Sequence, residues 1–572
     1  MIAQTLKLTL AVSLVALLAA CGAPLQATSP GGSDQLLTIK LSEGDTQESI
    51  VQRYGGEMVA WLDDKAILKL SSEAVAQLQA RGISMQNTTL AANTPVAAPV
   101  TAAGWNAWSG GWNAWSSGWN AWSGGWNAWS SGVGGAPPSE NNTAWNQIRL
   151  REAHAISRRF GAGVKVAVLD TGIDTAHPMF SGRLAPSSEW RDFVSNDNNP
   201  QEVGTSSNRG FGHGTAAASI ILQVAPKATI LPIRVLNQDG AGSLDVVLTG
   251  ITHAVNMGAR VINVSLGSTS WSDALFDTAA WANSRGVYIY ASTGNTGNNT
   301  NALFPANLSW YDQTYMKTVG IGSVRSDNVI SSFTALLDPT NNGATDIYGI
   351  APGESIAAAY PGSQTARVTG TSFAAPMFSG AAALAMSEAP SLTFNTVAEA
   401  LWGSMNTNTP NPGITGARLL DVERLIRVLP GWTQPQYRIV NNNSNLCLDV
   451  ASSSRSDGAV VRQETCNSDS SQRWRLDFAG GFYSLVNNNS AKVLEVSAST
   501  TADGGRVQQW GWVGANNQQW TLRPVGSVYE LVARHSNKCV GISGGSLAVD
   551  ASAVQWGCNG ANNQRWRLQL MN

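Results

Sequence analysis

Apolar residues recur along this chain in two rhythms, and the change between them marks its organisation. Between Gln35 and about Asn87, "QLLTIKLSE", "GEMVAWLDD" and "KAILKLS" read as strands. "DTQESIVQRYG" and "SEAVAQLQARG" carry helical spacing, opened by Asp, Thr or Ser and stopped by Gly. Strand, helix, two strands and helix predict a small open-faced α+β sandwich. From about Ala144 to Arg427, the short apolar runs "VKVAVLD", "TILPIRVL", "ARVINVSLG", "GVYIYAS" and "MKTVGIGSV" alternate with helical segments such as "LDVVLTGITHAVNMG" and "DALFDTAAWANSRG". Apolar strands alternating with helices predict a parallel sheet covered on both faces, with chemistry at the carboxyl ends of its strands.

Two stretches follow neither rhythm. Residues 104–132 repeat a seven-residue unit, GWNAWSG or GWNAWSS, four times, with eight tryptophans from Trp105 to Trp129 spaced by three and four. On a helix they would form one stripe, but each glycine costs about 1 kcal/mol there. As a strand they would switch faces. The segment reads as a linker with adhesive rings for a bilayer interface or polysaccharide, or as simple repeat expansion. At the N-terminus, Leu8–Leu18 is apolar, preceded by the single charge of Lys7. It is too short to span a bilayer and suits a signal-peptide core. It ends in "LLAACG", which resembles a bacterial lipobox with Cys21 as the lipidated residue; cleavage near Ala20 is the alternative. Expected boundaries are signal peptide 1–20, tether 21–34, α+β unit 35–90, linker 91–140, α/β domain 141–430 and a C-terminal domain 435–572.

Composition narrows the partners. At 572 residues the chain needs several cores, and its net charge of −2 leaves no basic surplus for nucleic acid. Charged residues are only 13%, with abundant Gly and Trp, a profile suited to export. Of five cysteines, Cys447 and Cys466 lie 19 apart, as do Cys539 and Cys558. Equal spacing points to two equivalent disulfides in an oxidising compartment. A zinc site is the rival, but no Cys-x-x-Cys exists and only His535 lies nearby.

Three polar residues stand where the α/β pattern puts chemistry. Asp170 closes "VKVAVLD"; His213 sits in "GFGHGTAAAS"; Ser372 opens the helix of "GTSFAAPMFSG". Singly they are a turn aspartate, a lone His-Gly and a helix cap. Together, in this order, "VAVLDTGID", "GHGTAAAS" and "GTSFAAPMFSG" resemble the three signature segments of the subtilisin-like serine proteases, over roughly 280 residues. The resemblance implies that Ser372 is the nucleophile, His213 its general base and Asp170 the orienting acid. It implies that Asn295 in "STGN" is an oxyanion donor, and that Ser265, Leu266 and Gly267 pair with an extended peptide substrate through their backbone. It also implies that the sandwich is an inhibitory prodomain, removed by self-cleavage between about Asn87 and Ala144. Two departures stand out. Phe373 replaces the methionine usual after the nucleophile, and the interval after His213 is too short for the family's tight calcium loop. No cofactor is needed for the chemistry and no metal motif is present; structural calcium around "DFVSNDNN" stays open.

The C-terminal region repeats itself. "SQRW", "NQQW" and "NQRW" carry Gln-x-Trp with Trp474, Trp520 and Trp566 spaced by 46 residues. Period, count and motif resemble the ricin-type β-trefoil lectin module. Under that alignment Cys447–Cys466 and Cys539–Cys558 fall in units one and three. A sugar site of this type wants an acid, an aromatic platform and an amide. Unit one offers Asp449 and Asn467 with Glu464 at the platform; unit two has Glu495 and Trp510 but Val513; unit three has Trp556 and Asn559 but Gly541. Unit one ranks first. The fold expected is thus multidomain: a small α+β prodomain, an α/β subtilisin-like domain with a parallel sheet, and an all-β trefoil. The function expected is a monomeric exported serine endopeptidase acting on proteins or peptides, with a carbohydrate-binding module. Its precursor would be a bacterial surface lipoprotein, tied to membrane only through Cys21, and its mature form secreted. The alternative is a surface glycan-binding lipoprotein whose proteolysis serves only maturation.

Overall fold

The computed structural model describes residues 34–81, 88–97, 139–298, 300–307, 318–336, 349–407 and 417–571. The signal segment, Cys21 and the tryptophan repeat lie outside them. The first unit runs β1 (Gln35–Lys40), α1 (Gln47–Tyr54), β2 (Glu57–Trp61), β3 (Lys65–Leu70), α2 (Ser72–Ala80) and β4 (Thr88–Ala92). Its strands form an antiparallel sheet in the order β2-β3-β1-β4. Thr46 caps α1 in a reciprocal capping box with Ser49, and the Ser71 hydroxyl accepts from the Ala74 amide at 3.1 Å to start α2.

Strand alternation sorts this sheet's faces. Leu37, Ile39, Ala66 and Leu68 pack with Ile50, Tyr54, Val75 and Leu78 of α1 and α2. Leu36, Val59 and Ile67 join a different core, which contains Val247, Leu248, Ile251 and Ala282 of the following domain. The sandwich that looks open-faced in sequence is closed by another part of the chain. Beyond β4, β5 (Pro95–Ala97) leaves the unit.

The second unit opens with α3 (Asn142–Gln147) and α4 (Leu150–Ile156). Its main sheet holds β6 (Lys165–Asp170), β7 (Arg191–Asp192), β8 (Thr229–Arg234), β10 (Val261–Val264), β11 (Tyr288–Ser292), β12 (Val319–Val324) and β13 (Gly349–Pro352). The order is β13-β12-β11-β10-β6-β8-β7, and every adjacent pair is parallel. The intervening β9 (Ala241–Ser243) stands apart and pairs antiparallel with β5. Val166 and Val168 of β6 pack toward α5 (His213–Val224) and α8 (Thr371–Glu388). Ala167 and Leu169 pack toward α6 (Leu244–Asn256) and α7 (Asp273–Ser284). Helices therefore cover both faces, and the first unit sits on α6 and α7. A hairpin, β14 (Ile356–Tyr360) with β15 (Gln364–Val368), precedes α8.

Residues 436–571 form an antiparallel twelve-stranded system. Trp474, Trp520 and Trp566 are fully buried in one core. Each indole N–H donates to a carbonyl 26 residues upstream, Leu448, Leu494 or Val540, at 3.1, 3.0 and 2.9 Å. Each Gln-x-Trp glutamine ties down the loop before it, its Oε1 accepting from the amide of Asn467, Val513 or Asn559. The motif is architectural, which is why it identifies the fold.

Candidate functional site

Asp170 is the last residue of β6 and His213 the first of α5; they are 0% and 2% exposed. His213 Nδ1 lies 2.7 Å from Asp170 Oδ1, which also accepts the Thr171 amide at 2.8 Å. The glycines beside the histidine make this approach possible. Gly212 has φ 88° and a Cβ there would lie 2.6 Å from the Tyr360 ring; a Cβ on Gly214 would lie 2.1 Å from Gly172 O.

Ser372 is the second residue of α8, buried, at a helix N-terminus whose dipole and unbonded N–H groups favour developing negative charge. The Phe373 ring centroid stands 5.3 Å from that of His213, which places the serine's neighbour against the imidazole. This helix approaches α5 closely because its residues are small: a Cβ on Gly380 would meet Val224 Cβ at 2.6 Å. Pro376 lies inside α8 and has no N–H to give to the carbonyl of Ser372, four residues back. The Ser265 hydroxyl supplies the missing donor to Ser372 O at 2.8 Å. Asn263 Nδ2 donates to Ser265 Oγ at 3.0 Å, and Ser379 Oγ donates to Asn263 Oδ1 at 2.9 Å. A buried relay from β10 thus fixes the backbone at Ser372.

Asn295 follows β11. Its Oδ1 accepts from the Thr371 amide and hydroxyl at 2.9 and 3.0 Å, which sets its Nδ2 beside Gly370, where a Cβ would lie 3.0 Å from it. Ser265 and Gly267 are buried, Gly267 against Leu303, and the Leu266 side chain belongs to the core. An extended segment is instead seen on β9: Pro95, Val96 and Ala97 pair with Ser243, Gly242 and Ala241. Asp245, next to that edge, accepts from Lys69 Nζ at 2.8 Å and Asn93 Nδ2 at 3.0 Å, and from the Ser243 hydroxyl. Burial opposes its charge, but these donors hold its carboxyl below the usual range. The "DGAGS" stretch carries the signal for this edge in its glycines, yet three residues are too few to read as a strand.

In "DFVSNDNN", Asp192 Oδ2 accepts from Arg234 Nη1 at 2.7 Å, both side chains buried. Among the described residues no group of three or more His, Cys, Asp or Glu is placed to hold a metal.

In the trefoil the two disulfides pair Cys447 with Cys466 and Cys539 with Cys558. The strand register then shows what faces each acid position. Asp449 lies opposite Arg462, Glu495 opposite Gln508 and Gly541 opposite Val554. Arg462 Nε approaches Asp449 at 3.6 Å and its Nη2 lies 3.4 Å from Glu464, so unit one is neutralised from within. Asn467 does not join Asp449: its Oδ1 accepts the Asp469 amide at 2.8 Å. In unit two, Glu495 accepts from Gln508 Nε2 at 2.7 Å, Gln518 Nε2 at 3.0 Å and Asn517 Nδ2 at 3.5 Å. Asn517 Oδ1 is buried without a hydrogen-bond partner, and Trp510 is 40% exposed. The amide beside the acid therefore comes from Asn517, four residues after the Val513 position that sequence alignment singles out.

A carboxylate-bound imidazole and a serine in the first turn of a helix, carried on the ends of a parallel sheet, are groups from which serine hydrolases build their sites. Residues 161–417 match the Subtilase family, and residues 427–510 and 516–572 match the Ricin-type beta-trefoil lectin domain-like family. Thermitase of Thermoactinomyces vulgaris is 36% identical over 238 residues, 40% of this chain and 76% of thermitase. Subtilisin BL of Lederbergia lenta is 36% identical over 257 residues, 43% of this chain and 85% of the relative. A solved cold adapted subtilisin-like serine proteinase is 27% identical, covers 49% of this chain and 97% of its own, and has a TM-score of 0.40. The chain belongs to the subtilase family and is a serine endopeptidase with a ricin-type lectin-like domain.

Proposed function

We propose that Ser372, His213 and Asp170 perform peptide-bond hydrolysis as a triad. The observation that carries this is the buried 2.7 Å contact between His213 Nδ1 and Asp170, beside a helix whose second residue is the serine. Ser372 Oγ attacks the scissile carbonyl while His213 Nε2 takes its proton and later returns it to the leaving amine. Asp170 holds the other ring nitrogen protonated and balances the imidazolium charge. Asn295 Nδ2 and the Ser372 N–H receive the oxyanion; Asn295 is oriented for this by Thr371, which occupies its oxygen. Ser265 acts on the scaffold by holding Ser372 O, and residues 265–267 offer backbone to an extended substrate. A serine-directed fluorophosphonate tests the reading: it should label Ser372 in the wild type and fail to label His213→Ala. Equal labelling of both would refute it.

The first unit is an inhibitory prodomain in this reading, with β5 lying on β9 as an extended peptide would. Maturation cleavage then falls after Ala97 and before Ala144. Export, with Cys21 as a lipid attachment point of the precursor, follows from the N-terminal pattern; among the described residues no helix is long and apolar enough to cross a membrane. For sugar, unit two replaces unit one as the favoured site, through Glu495, Gln508 and Asn517 beside the Trp510 face. Glycan binding by the wild type and Glu495→Gln checks this: equal binding would exclude unit two.

A further inference from the structure

A second carboxyl group is buried next to the Asp170–His213 pair and has no part in the mechanism above. Glu202 belongs to the loop between β7 and α5 and is 8% exposed. Its backbone follows the turn after Asp170: the Glu202 amide donates to Ile173 O at 3.3 Å, and the Ile173 amide to Pro200 O at 2.9 Å. Its side chain collects donors from both sides of the histidine. Oε1 accepts from the Thr215 amide at 3.2 Å and the Thr215 hydroxyl at 3.1 Å, and the Gly212 amide is hydrogen-bonded to the same carboxyl group. The Thr171 hydroxyl, one residue past Asp170, reaches both carboxyl oxygens at 3.2 and 3.3 Å while accepting the Gly214 amide at 3.1 Å.

We propose that Glu202 is a positioning residue for catalysis, clamping the first turn of the His213 helix to the residue after Asp170 and so fixing the imidazole against its carboxylate. The clamp answers a structural need. The capping position of helix α5 is Gly212, which has no side chain to fill it, and the N–H groups of a first turn have no intrahelical partners. Glu202 supplies that cap from a distant loop, and because Thr171 shares the same carboxyl group, the cap also sets the separation of the two reacting segments. Four donors converging on one group match a carboxylate, which only accepts. A protonated carboxyl must donate its O–H, and only a threonine hydroxyl can accept it, giving up that hydroxyl's own bond to the carboxyl, so the clamp loosens on protonation.

That step falls near neutral pH. Burial pushes the Glu202 carboxyl up to about 7, the Gly212 amide works against this, and the charge of Asp170 adds to it. The other titratable groups around it are His213 on α5, Tyr360 on β14, Asp174, whose amide meets the Thr215 hydroxyl, and Arg234, whose Nε donates to Thr171 O.

The proposal rests on the triad reading, which serine labelling tests separately. The experiment measures kcat and KM against pH for the processed enzyme, its Glu202→Gln variant and its Thr215→Val variant, with a fluorogenic peptide. Gln presents an amide N–H₂ to a nest of donors, so kcat should fall about tenfold to a hundredfold with KM within twofold, the range expected for a small misplacement of reacting groups. The acid limb should be steeper than one proton in the wild type and first-order in Glu202→Gln. Thr215→Val keeps the amide bond to Glu202 but removes the hydroxyl, which also accepts the Asp174 amide; a severalfold loss of kcat is expected below the lowered Tm, with the acid limb reduced to first order, and this variant decides the matter if Glu202→Gln does not fold. Unchanged kcat and an unchanged acid limb in the folded variants would overturn the proposal, as would a loss confined to KM. Retention of full activity by Ser372→Ala would instead overturn the triad reading.

Discussion

The bond from Ser265 to the carbonyl of Ser372 makes a quantitative prediction because a proline created the need for it. In an ordinary helix the N–H of residue 376 would satisfy Ser372 O; Pro376 cannot, and the Ser265 hydroxyl does so at 2.8 Å with both residues buried. Ser265→Ala removes that donor and also removes the acceptor of Asn263 Nδ2. Leaving a buried polar group unsatisfied costs about 1–3 kcal/mol, so two together cost about 3 kcal/mol. Opening of the first turns of α8 should then be about 150-fold more frequent, at 1.36 kcal/mol per tenfold. Pro376→Ala restores an N–H to Ser372 O. In that background Ser265→Ala should orphan only Asn263 and cost about half as much, a coupling of about 1.5 kcal/mol. The assay is amide hydrogen exchange of peptides spanning 367–386, with every variant carrying Ser372→Ala to prevent self-digestion. Coupling below about 0.5 kcal/mol, the usual scatter of independent sites, would refute the reasoning.

Four further outcomes follow from the same structure. Asp245→Asn should weaken inhibition of the processed enzyme by added prodomain about tenfold, since a carboxylate buried in the docked state then loses its charge toward Lys69, and the inhibition constant measures it. The carboxyl group of Asp245 is held below its ordinary value when docked, so its contribution is complete above the unfolded carboxylate range and lost as pH falls through the docked value; acid below about pH 4, not neutral pH, should release the prodomain through this group. Trp510→Ala should abolish glycan binding on an array at unchanged Tm, whereas Glu464→Ala should leave it intact. Replacing Cys447 and Cys466 by serine should destabilise the trefoil by about 3 kcal/mol in denaturant unfolding, the loop-closure value for a 19-residue separation.

Much of the fold was legible because each element obeys a local rule. Thr46, Ser71 and Gly55 punctuate helices where their chemistry demands, and β6, β8, β10 and β11 are apolar runs because both faces of their sheet are covered. What stayed hidden depends on distant partners. The pairing of β5 with β9 joins two three-residue segments, 146 positions apart, neither with a period long enough to detect. Glu202 reads as one more polar residue in a loop until Thr171, Gly212 and Thr215 close around it.

The trefoil shows the same division within a single repeat. Trp474, Trp520 and Trp566 and their glutamines serve the core and its loops, so all three units need them and the period of 46 survives. The acid position serves no such need, and it has become Asp449, Glu495 and Gly541. At Gly541 an added Cβ would lie 2.9 Å from Gln564, so unit three has closed over the place where an acid would stand. At Asp449 the opposing strand brings Arg462, which in turn engages Glu464 and Asp550 and leaves the acid engaged before any ligand arrives. Only at Glu495 does the opposing residue, Gln508, donate without neutralising, and only there does a buried amide oxygen, on Asn517, remain to be met. Repetition therefore identifies the scaffold, while the differences between repeats separate the units: the proposed sugar site in unit two rests on a carboxylate that cross-strand amides orient without an opposing cation, beside an exposed ring.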